Sequence, residues 1–278
     1  MSSPYWIKTL INKTFSTRFF MSRLTHFRPI GRITDQMLFK NDDIMYLPKD
    51  QVVEKKHVID VGEAVEEPES LAAPSKVVEH FIRNAGTHWI MDFCICRDSA
   101  RCKDYPIAYG CIFLGDAAND INPKFGRRVS MEEALAHAKR CREAGLVHLI
   151  GRNKLDTVWL NIGPPEKLMT ICNCCPCCCL WKVLPVITPV ISSKVSRMPG
   201  VHMEVTDQCA GCGTCTKGIC FVDAIHLSGE QAVIDQDECR GCGRCAAICP
   251  KGAIQVIIED EAYIDHAIRH ISETVDVA

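Results

Sequence analysis

The sequence predicts an α+β protein in which a cysteine-rich α/β region precedes a small C-terminal module with a pseudo-two-fold repeat. Two observations predict this class. DQCAGCGTCTKGIC at 207–220 returns as DECRGCGRCAAIC at 237–249, which is typical of two half-domains related by an internal axis. Upstream, a capped helix is followed by short apolar stretches of strand length. The 278 residues, 47% hydrophobic and 24% charged, indicate a globular protein of one large or two ordinary domains.

The chain divides into four predicted segments. A polar join at 193–207, which contains Pro199 and Gly200, marks the main boundary. The segments are a basic amphipathic N-terminal segment (1–36), a cysteine-rich domain (37–200), the repeated module (201–260) and an acidic C-terminal helix or tail (261–278).

Charge differs strongly between the two ends of the chain. Residues 1–34 carry six Lys and Arg side chains and no carboxylate, whereas residues 201–278 carry a net charge of −8. Ile7, Ile11 and Phe15 recur at steps of four, which predicts an amphipathic helix. Its apolar face either packs on the protein's own core or docks on an anionic membrane surface or in a partner's groove. The acidic end favours a basic redox partner protein.

The upstream region contains one strong helix signal. Ser130 and Glu133 form a capping box and Gly145 suits the position after the last turn, so a helix is predicted over 131–144. The next stretch, GLVHLIGRNKLDTVWLNIG at 145–163, predicts two short strands with a turn between them. A helix followed by a hairpin is the outline of a winged-helix module, so the cysteine-rich domain is predicted to be winged-helix-like.

The cellular compartment of the protein determines what its cysteines are able to do. The chain shows no secretory signal and no uncharged apolar run of about 18 residues, so we expect a cytoplasmic protein, with association at a membrane surface as the alternative. Thiols in a reducing compartment rarely form disulfides. The 19 cysteines therefore favour metal binding or redox chemistry.

The repeated module carries the most specific motif. Each CxxCxxC run supplies three thiolates to one [4Fe-4S] cluster, and in the two-cluster pattern the fourth cysteine of each run binds the other cluster. The two predicted ligand sets are Cys209, Cys212, Cys215 and Cys249 for cluster 1, and Cys239, Cys242, Cys245 and Cys220 for cluster 2. Zinc is the alternative, but zinc ribbons use two CxxC pairs for one ion instead of two CxxCxxC runs.

Residues 201–260 resemble the bacterial-type ferredoxins that hold two [4Fe-4S] clusters. The second run has the family spacing C-x2-C-x2-C-x3-C-P, whereas the first has four residues before Cys220 and Phe221 in place of proline. The resemblance implies a ferredoxin-type dicluster module that exchanges electrons with redox partner proteins. More loosely, residues 90–260 resemble a prokaryotic group of 4Fe-4S-binding proteins with a CxCR segment and an ICNCC-type run, which implies cytoplasmic electron transfer without a specific reaction.

Ten further cysteines form two upstream groups. They are Cys94, Cys96, Cys102 and Cys111, then Cys172, Cys174, Cys175, Cys177, Cys178 and Cys179. In an extended segment Cys172 and Cys174 share a face, and Pro176 then bends the chain, so only some thiols can converge on one centre. We expect a third iron–sulfur cluster with ligands from both groups. The alternative is that these thiols simply pack a core, as we expect for the helical Cys141.

Three functions remain open. The favoured one is an iron–sulfur electron carrier that is not itself an enzyme. The second is an oxidoreductase whose upstream cysteine site is fed by the C-terminal module, although no GxGxxG loop follows a strand. The third is a redox-sensing regulator. The helix at 131–144 mixes acidic and basic residues and forms no basic patch, so no nucleic-acid partner is expected.

Overall fold

The structure, a computed structural model, describes residues 2–55 and 73–278. Helices and strands are mixed along the chain, which agrees with the predicted α+β class. The helices are α1 (Trp6–Thr14), α2 (Arg18–Leu24), α3 (Arg28–Thr34), α4 (Ser75–Asn84), α5 (Ile95–Ala100), α6 (Met131–Glu143), α7 (Lys154–Leu160), α8 (Pro189–Ser192), α9 (Arg244–Ala247) and α10 (Tyr263–Ser272). The strands are β1 (Asp43–Tyr46), β2 (Val53–Lys55), β3 (His88–Met91), β4 (Ile112–Leu114), β5 (Gly126–Arg128), β6 (Val147–Arg152), β7 (Met169–Cys174), β8 (Val195–Arg197), β9 (Val201–Val205), β10 (Ile225–Ser228), β11 (Gln231–Ile234) and β12 (Ile254–Ile258).

The main sheet has seven strands in the order β5-β3-β4-β7-β6-β1-β8. Its neighbours are antiparallel except for β1 and β8, which run parallel. The centre of the sheet is the β6–β7 pair, in which Leu149 lies opposite Cys172 and Val147 opposite Cys174. The sheet therefore places the start of the 172–179 cysteine run at its middle.

The repeated module adds two small sheets. β10 and β11 form a hairpin, and β12 lies between β9, its antiparallel neighbour, and β2, its parallel neighbour. One apolar core joins this module to the main sheet, since it contains both Ile150 and Val256. The core thus continues across the predicted boundary near residue 200, and the four-segment division itself stays a prediction.

The strongest local prediction is confirmed. Helix α6 begins after Ser130, whose side-chain oxygen accepts a hydrogen bond from the backbone N–H of Glu133 at 3.2 Å. Gly145 follows the helix with a φ of +81°, a conformation that suits glycine. Cys141 is fully buried on this helix, as predicted.

The predicted hairpin at 145–163 is wrong. β6 is its first strand, but Lys154–Leu160 is the helix α7, so the winged-helix outline does not form. Asp156, Thr157 and Leu160 are buried, and this helical spacing places them on one face of α7. β6 pairs instead with β7, which comes later in the chain.

The N-terminal helix packs on the protein itself. Ile7 contacts the apolar core around Trp89 and Phe93, and Ile11 and Phe15 line a cavity described below. Lys8 lies 3.2 Å from the carboxylate of Asp98 on α5. None of the helices in residues 2–55 and 73–278 combines the length and apolar character that crossing a bilayer requires.

Candidate metal centres

The eight cysteines of the repeat line two small cavities. One cavity is bordered by Cys209, Cys212, Cys215 and Cys249, and the other by Cys220, Cys239, Cys242 and Cys245. Each cavity therefore combines three cysteines of one run with the fourth cysteine of the other run. These are the same two sets that the spacing predicts, and the crossing ties the two halves of the module together.

The two halves use matching turns. Gly211 and Gly241 both have a φ of +62°, a region that non-glycine residues rarely adopt. The backbone N–H of Ala224 donates to Cys220 Sγ at 3.3 Å, and that of Ala253 donates to Cys249 Sγ at the same distance. The extra residue of the first run therefore lies before Cys220, and the Sγ of Cys220 accepts the same kind of hydrogen bond as that of Cys249, its counterpart in the second run.

The two cavities differ in the side chains that border them. Cys212 at the first cavity is exposed. The second cavity is bordered by the buried Arg244, whose Nη2 donates to the carbonyl oxygen of Cys174 at 2.7 Å. Among the described residues, the buried Nε and Nη1 atoms of Arg244 have no hydrogen-bond partner. Such donors beside a cavity lined by four thiols fit a bound group that accepts hydrogen bonds through sulfur.

Most of the upstream cysteines surround a third and larger cavity of about 210 Å³. They are Cys94, Cys96, Cys111, Cys172, Cys174, Cys175 and Cys179. The Sγ atoms of Cys111 and Cys172 lie 3.5 Å apart, and those of Cys174 and Cys179 lie 3.3 Å apart. Both sequence groups therefore contribute to one cavity, which we call the upstream cavity.

Separate elements bring these thiols together. Cys94 and Cys96 lie at the start of α5, and Cys111 comes directly before β4. Cys172 and Cys174 lie on the same side of β7, as strand alternation predicts, and their thiols interact. The large apolar side chains of Ile11, Phe15, Trp159 and Trp181 also line the cavity.

Two buried guanidinium groups hold this arrangement. Arg97 has 0% exposure and donates hydrogen bonds to the carbonyl oxygens of Pro106 at 2.9 Å, Asn173 at 2.7 Å and Tyr109. Arg244 donates to Cys174 from the side of the second cavity. Arg244 occupies the position in the second run at which the first run has Thr214. A comparison of the two halves of the repeat could therefore have singled out this charged residue.

Two thiols of the upstream cavity, those of Cys94 and Cys174, have lowered pKa values, whereas neighbouring thiols and burial raise the pKa values of Cys96, Cys111, Cys172 and Cys179. Hydrogen bonds from Cys172 and Cys179 hold the pKa of Cys174 well below its ordinary value, and the nearby Arg244 and Arg97 add to this effect against the opposing burial. A hydrogen bond from Cys96 lowers the pKa of Cys94 to about 7. Thiolates are the forms that bind metal, so Cys94 and Cys174 are the thiols of this cavity that are best suited to act as ligands.

A second upstream group lies beside the cavity. The Sγ atoms of Cys102, Cys175, Cys177 and Cys178 all lie within 4.8 Å of one another. Cys141, Leu146 and Tyr105 belong to the small core around them. The ten upstream cysteines are thus divided between two places, with Cys175 touching both.

The upstream cavity and the second repeat cavity adjoin one another. Cys174 and Cys179 share an apolar core with Phe221, and Cys220, Cys239 and Cys242 pack against that core. The buried Tyr46 connects the two sides. Its ring centroid lies 4.5 Å from that of Phe221, and its hydroxyl oxygen lies 3.8 Å from Cys179 Sγ.

Comparison with known proteins identifies one segment. The family model of the 4Fe-4S binding domain matches residues 232–255, which contain the second cysteine run. The match indicates that the C-terminal part of the chain binds a [4Fe-4S] cluster. No curated protein and no solved structure matches the chain.

Proposed function

We propose that the protein is an iron–sulfur electron carrier with two [4Fe-4S] clusters in the repeat cavities and a third iron–sulfur cluster in the upstream cavity. The clusters supply one-electron transfer when bound. Cys209, Cys212, Cys215 and Cys249 would hold cluster 1, and Cys239, Cys242, Cys245 and Cys220 would hold cluster 2. The crossed lining of the two repeat cavities and the match of the second run to a 4Fe-4S family support this assignment.

The contact between the second repeat cavity and the upstream cavity carries the proposal. Arg244 borders the second repeat cavity and donates a hydrogen bond to the backbone of Cys174 in the upstream cavity. Tyr46 and Phe221 fill the space between them. An electron that reaches the second repeat cavity would therefore have a path past Tyr46 and Phe221 toward Cys174 and Cys179. A carrier whose second and upstream centres adjoin fits this arrangement better than a chain whose upstream thiols only pack a core.

The decisive experiment is anaerobic purification followed by iron, sulfide and EPR analysis. Two cubanes give about eight iron and eight sulfide per chain, and a further cubane gives about twelve of each. The double variant Cys94→Ser/Cys172→Ser should remove only the upstream increment, whereas Cys220→Ser should affect only the module. Cys141→Ala is the matched control, since this buried cysteine borders none of the three cavities. A protein with zinc and no sulfide would contradict the proposal.

A ferredoxin-fed oxidoreductase is the second candidate, because a buried carboxyl group borders the upstream cavity. Asp156 accepts hydrogen bonds from Asn153, Trp159 and Thr170, and its burial raises its pKa. The protonated Asp156 would be placed to donate a proton to a small substrate that accepts electrons from a reduced metal centre in this cavity. Substrate-dependent reoxidation of the dithionite-reduced protein, lost in Asp156→Asn, would favour this candidate. A full upstream cluster with slow reoxidation by every small molecule would favour the carrier.

We infer that the basic N-terminal segment docks on an anionic membrane surface. Its large apolar side chains include Trp6 and Phe27, which are 62% and 65% exposed, and residues 1–34 contain no carboxylate. Exposed aromatic and basic residues together favour the boundary between water and lipid headgroups. The protein should therefore sediment with vesicles that contain anionic lipid. Trp6→Ser/Phe27→Ser should weaken this binding, and equal binding of both proteins would contradict it. The acidic module would remain free to meet a basic redox partner protein.

A further inference from the structure

We propose that Cys102, Cys175, Cys177 and Cys178 form a closed site for a single zinc ion, separate from every iron–sulfur cluster. This site, which we call the tetrathiolate site, goes beyond the proposed electron-transfer function. It replaces the sequence-based expectation of one upstream centre with two centres that have different chemistry.

The spacing of the sulfur atoms favours one ion. The Sγ of Cys177 lies 3.6 Å from that of Cys102 and 3.5 Å from that of Cys178, and all four atoms lie within 4.8 Å of one another. Tetrahedral zinc with Zn–S bonds of about 2.3 Å requires sulfur atoms about 3.8 Å apart. In a cubane each thiolate binds a different iron, so the four sulfur atoms stand farther apart.

The same chain provides an internal comparison. Among the described residues, which include all 19 cysteines, the tetrathiolate site is the one group of three or more possible ligands whose ligand atoms all lie within 4.8 Å of one another. The cysteines around the two repeat cavities, which match the cubane pattern, do not meet this spacing. The tetrathiolate site therefore differs from the two repeat cavities in the sulfur–sulfur distance that separates single-ion from cluster coordination.

The backbone around the tetrathiolate site suits metal-bound thiolates. The N–H of Cys178 donates to Cys175 Sγ at 3.4 Å across the turn that contains Pro176. Cys102 is positioned from α5, because its N–H donates to the carbonyl oxygen of Arg97 at 2.9 Å. These two hydrogen bonds fix the positions of Cys175 and Cys102 beside the other two thiols.

All four ligands come from the protein, which leaves no open position for water or substrate. Four-thiolate sites of this closed type are structural zinc sites, and zinc cannot change its oxidation state. The ion would join two segments that lie 73 residues apart at Cys102 and Cys175. One of these segments carries Cys94 and Cys111 and the other carries Cys172 and Cys174, so the ion would fix both walls of the upstream cavity.

The test is metal and sulfide analysis of the full chain purified without oxygen. The wild type should contain about one zinc per chain in addition to its iron, since a site with four cysteine ligands binds one ion. Cys102→Ser/Cys177→Ser should lose the zinc and keep its sulfide content. The matched double variant Cys94→Ser/Cys172→Ser, which alters the upstream cavity alone, should keep the zinc. X-ray absorption at the zinc edge should show four sulfur ligands at about 2.3 Å.

Three results would overturn the proposal. One is the absence of zinc from the wild type, and another is a joint loss of iron and sulfide from the Cys102/Cys177 variant, which would indicate a cluster. The third is a loss of one iron with unchanged sulfide, which would assign a single iron ion in place of zinc. If the variant fails to fold, the zinc-edge spectrum of the wild type alone decides the matter. Because the clusters are counted by sulfide, failure of this proposal and failure of the proposed function give different results.

Discussion

Replacement of Arg97 should loosen the upstream cavity while leaving the C-terminal module loaded. This side chain is fully buried, and it donates to three carbonyl oxygens that belong to the 94–111 segment and to β7. The carbonyl of Asn173 lies between the two cavity cysteines Cys172 and Cys174. Loss of the guanidinium group would therefore separate the two cysteine-bearing segments and remove the donor that the buried carbonyl oxygen of Asn173 accepts from.

The expected magnitude is large. Hydrogen bonds to a charged group contribute about 1.5–3 kcal/mol each, so three of them correspond to roughly 5–9 kcal/mol. A domain is stable by only about 5–15 kcal/mol, so Arg97→Ala should leave the upstream region barely folded. Arg97→Lys keeps the charge but cannot reach three acceptors with one ammonium group, and it should cost roughly 3–6 kcal/mol.

The assay is anaerobic guanidinium unfolding followed by circular dichroism, together with iron and sulfide analysis. Lys103→Ala is the matched control, because this cation lies exposed on the same segment and should change stability by less than about 0.5 kcal/mol. Arg97→Ala should retain the iron of the module and lose the upstream increment. An unfolding free energy within about 1 kcal/mol of the wild type would refute the reasoning, because buried charge-assisted hydrogen bonds cannot be lost at so small a cost.

The remaining predictions concern three other sites. Cys220→Ser should lower iron and sulfide by about four each, whereas Cys141→Ala should leave both unchanged; equal losses would argue against the crossed ligand sets. Arg244→Gln should lower the reduction potential of one module cluster by roughly 60 mV, because a nearby positive charge favours the reduced form. For a one-electron couple this shift changes the equilibrium constant of reduction about tenfold. Potentiometric titration with EPR measures the potential, and an unchanged potential would contradict the prediction. Burial raises the pKa of Asp42 to about 7, so the folded state keeps a proton that the unfolded state releases near pH 4. The stabilising contribution of the protonated Asp42 is complete below about pH 4 and is lost as the pH rises to about 7. The free energy of unfolding of Asp42→Asn should therefore exceed that of the wild type by roughly 1–4 kcal/mol at pH 8 and by little at pH 4. A stability difference that is the same at both pH values would refute this assignment.

Local signals in the sequence predicted local structure well. The capping residues Ser130 and Glu133 determine where α6 begins, and Gly145 determines where it ends, since each acts within one turn of the helix. The repeat predicted which cysteines border each C-terminal cavity, because the CxxCxxC spacing itself constrains the chain. The hairpin prediction failed because a short apolar stretch such as 154–160 fits either a strand or a helix, and the burial of Asp156 was not visible in the sequence.

The division of the upstream cysteines depends on tertiary contacts. Cys102 meets Cys177 only because α5 and the end of β7 are brought together across the sheet, and spacing along the chain contains no sign of this. Arg97 illustrates the same limit. Beside cysteines in the sequence it has the pattern of a surface cation, yet three carbonyl groups from two segments enclose it.

The adjacent positions of Cys174 and Cys175 have a consequence for how the protein matures. One peptide bond separates a wall of the upstream cavity from a ligand of the tetrathiolate site, so neither centre can rearrange without moving the other. Binding of an ion by Cys175, Cys177 and Cys178 would fix the end of β7 and with it Cys174. A chain deprived of zinc should therefore hold iron less well in its upstream cavity than in its C-terminal half.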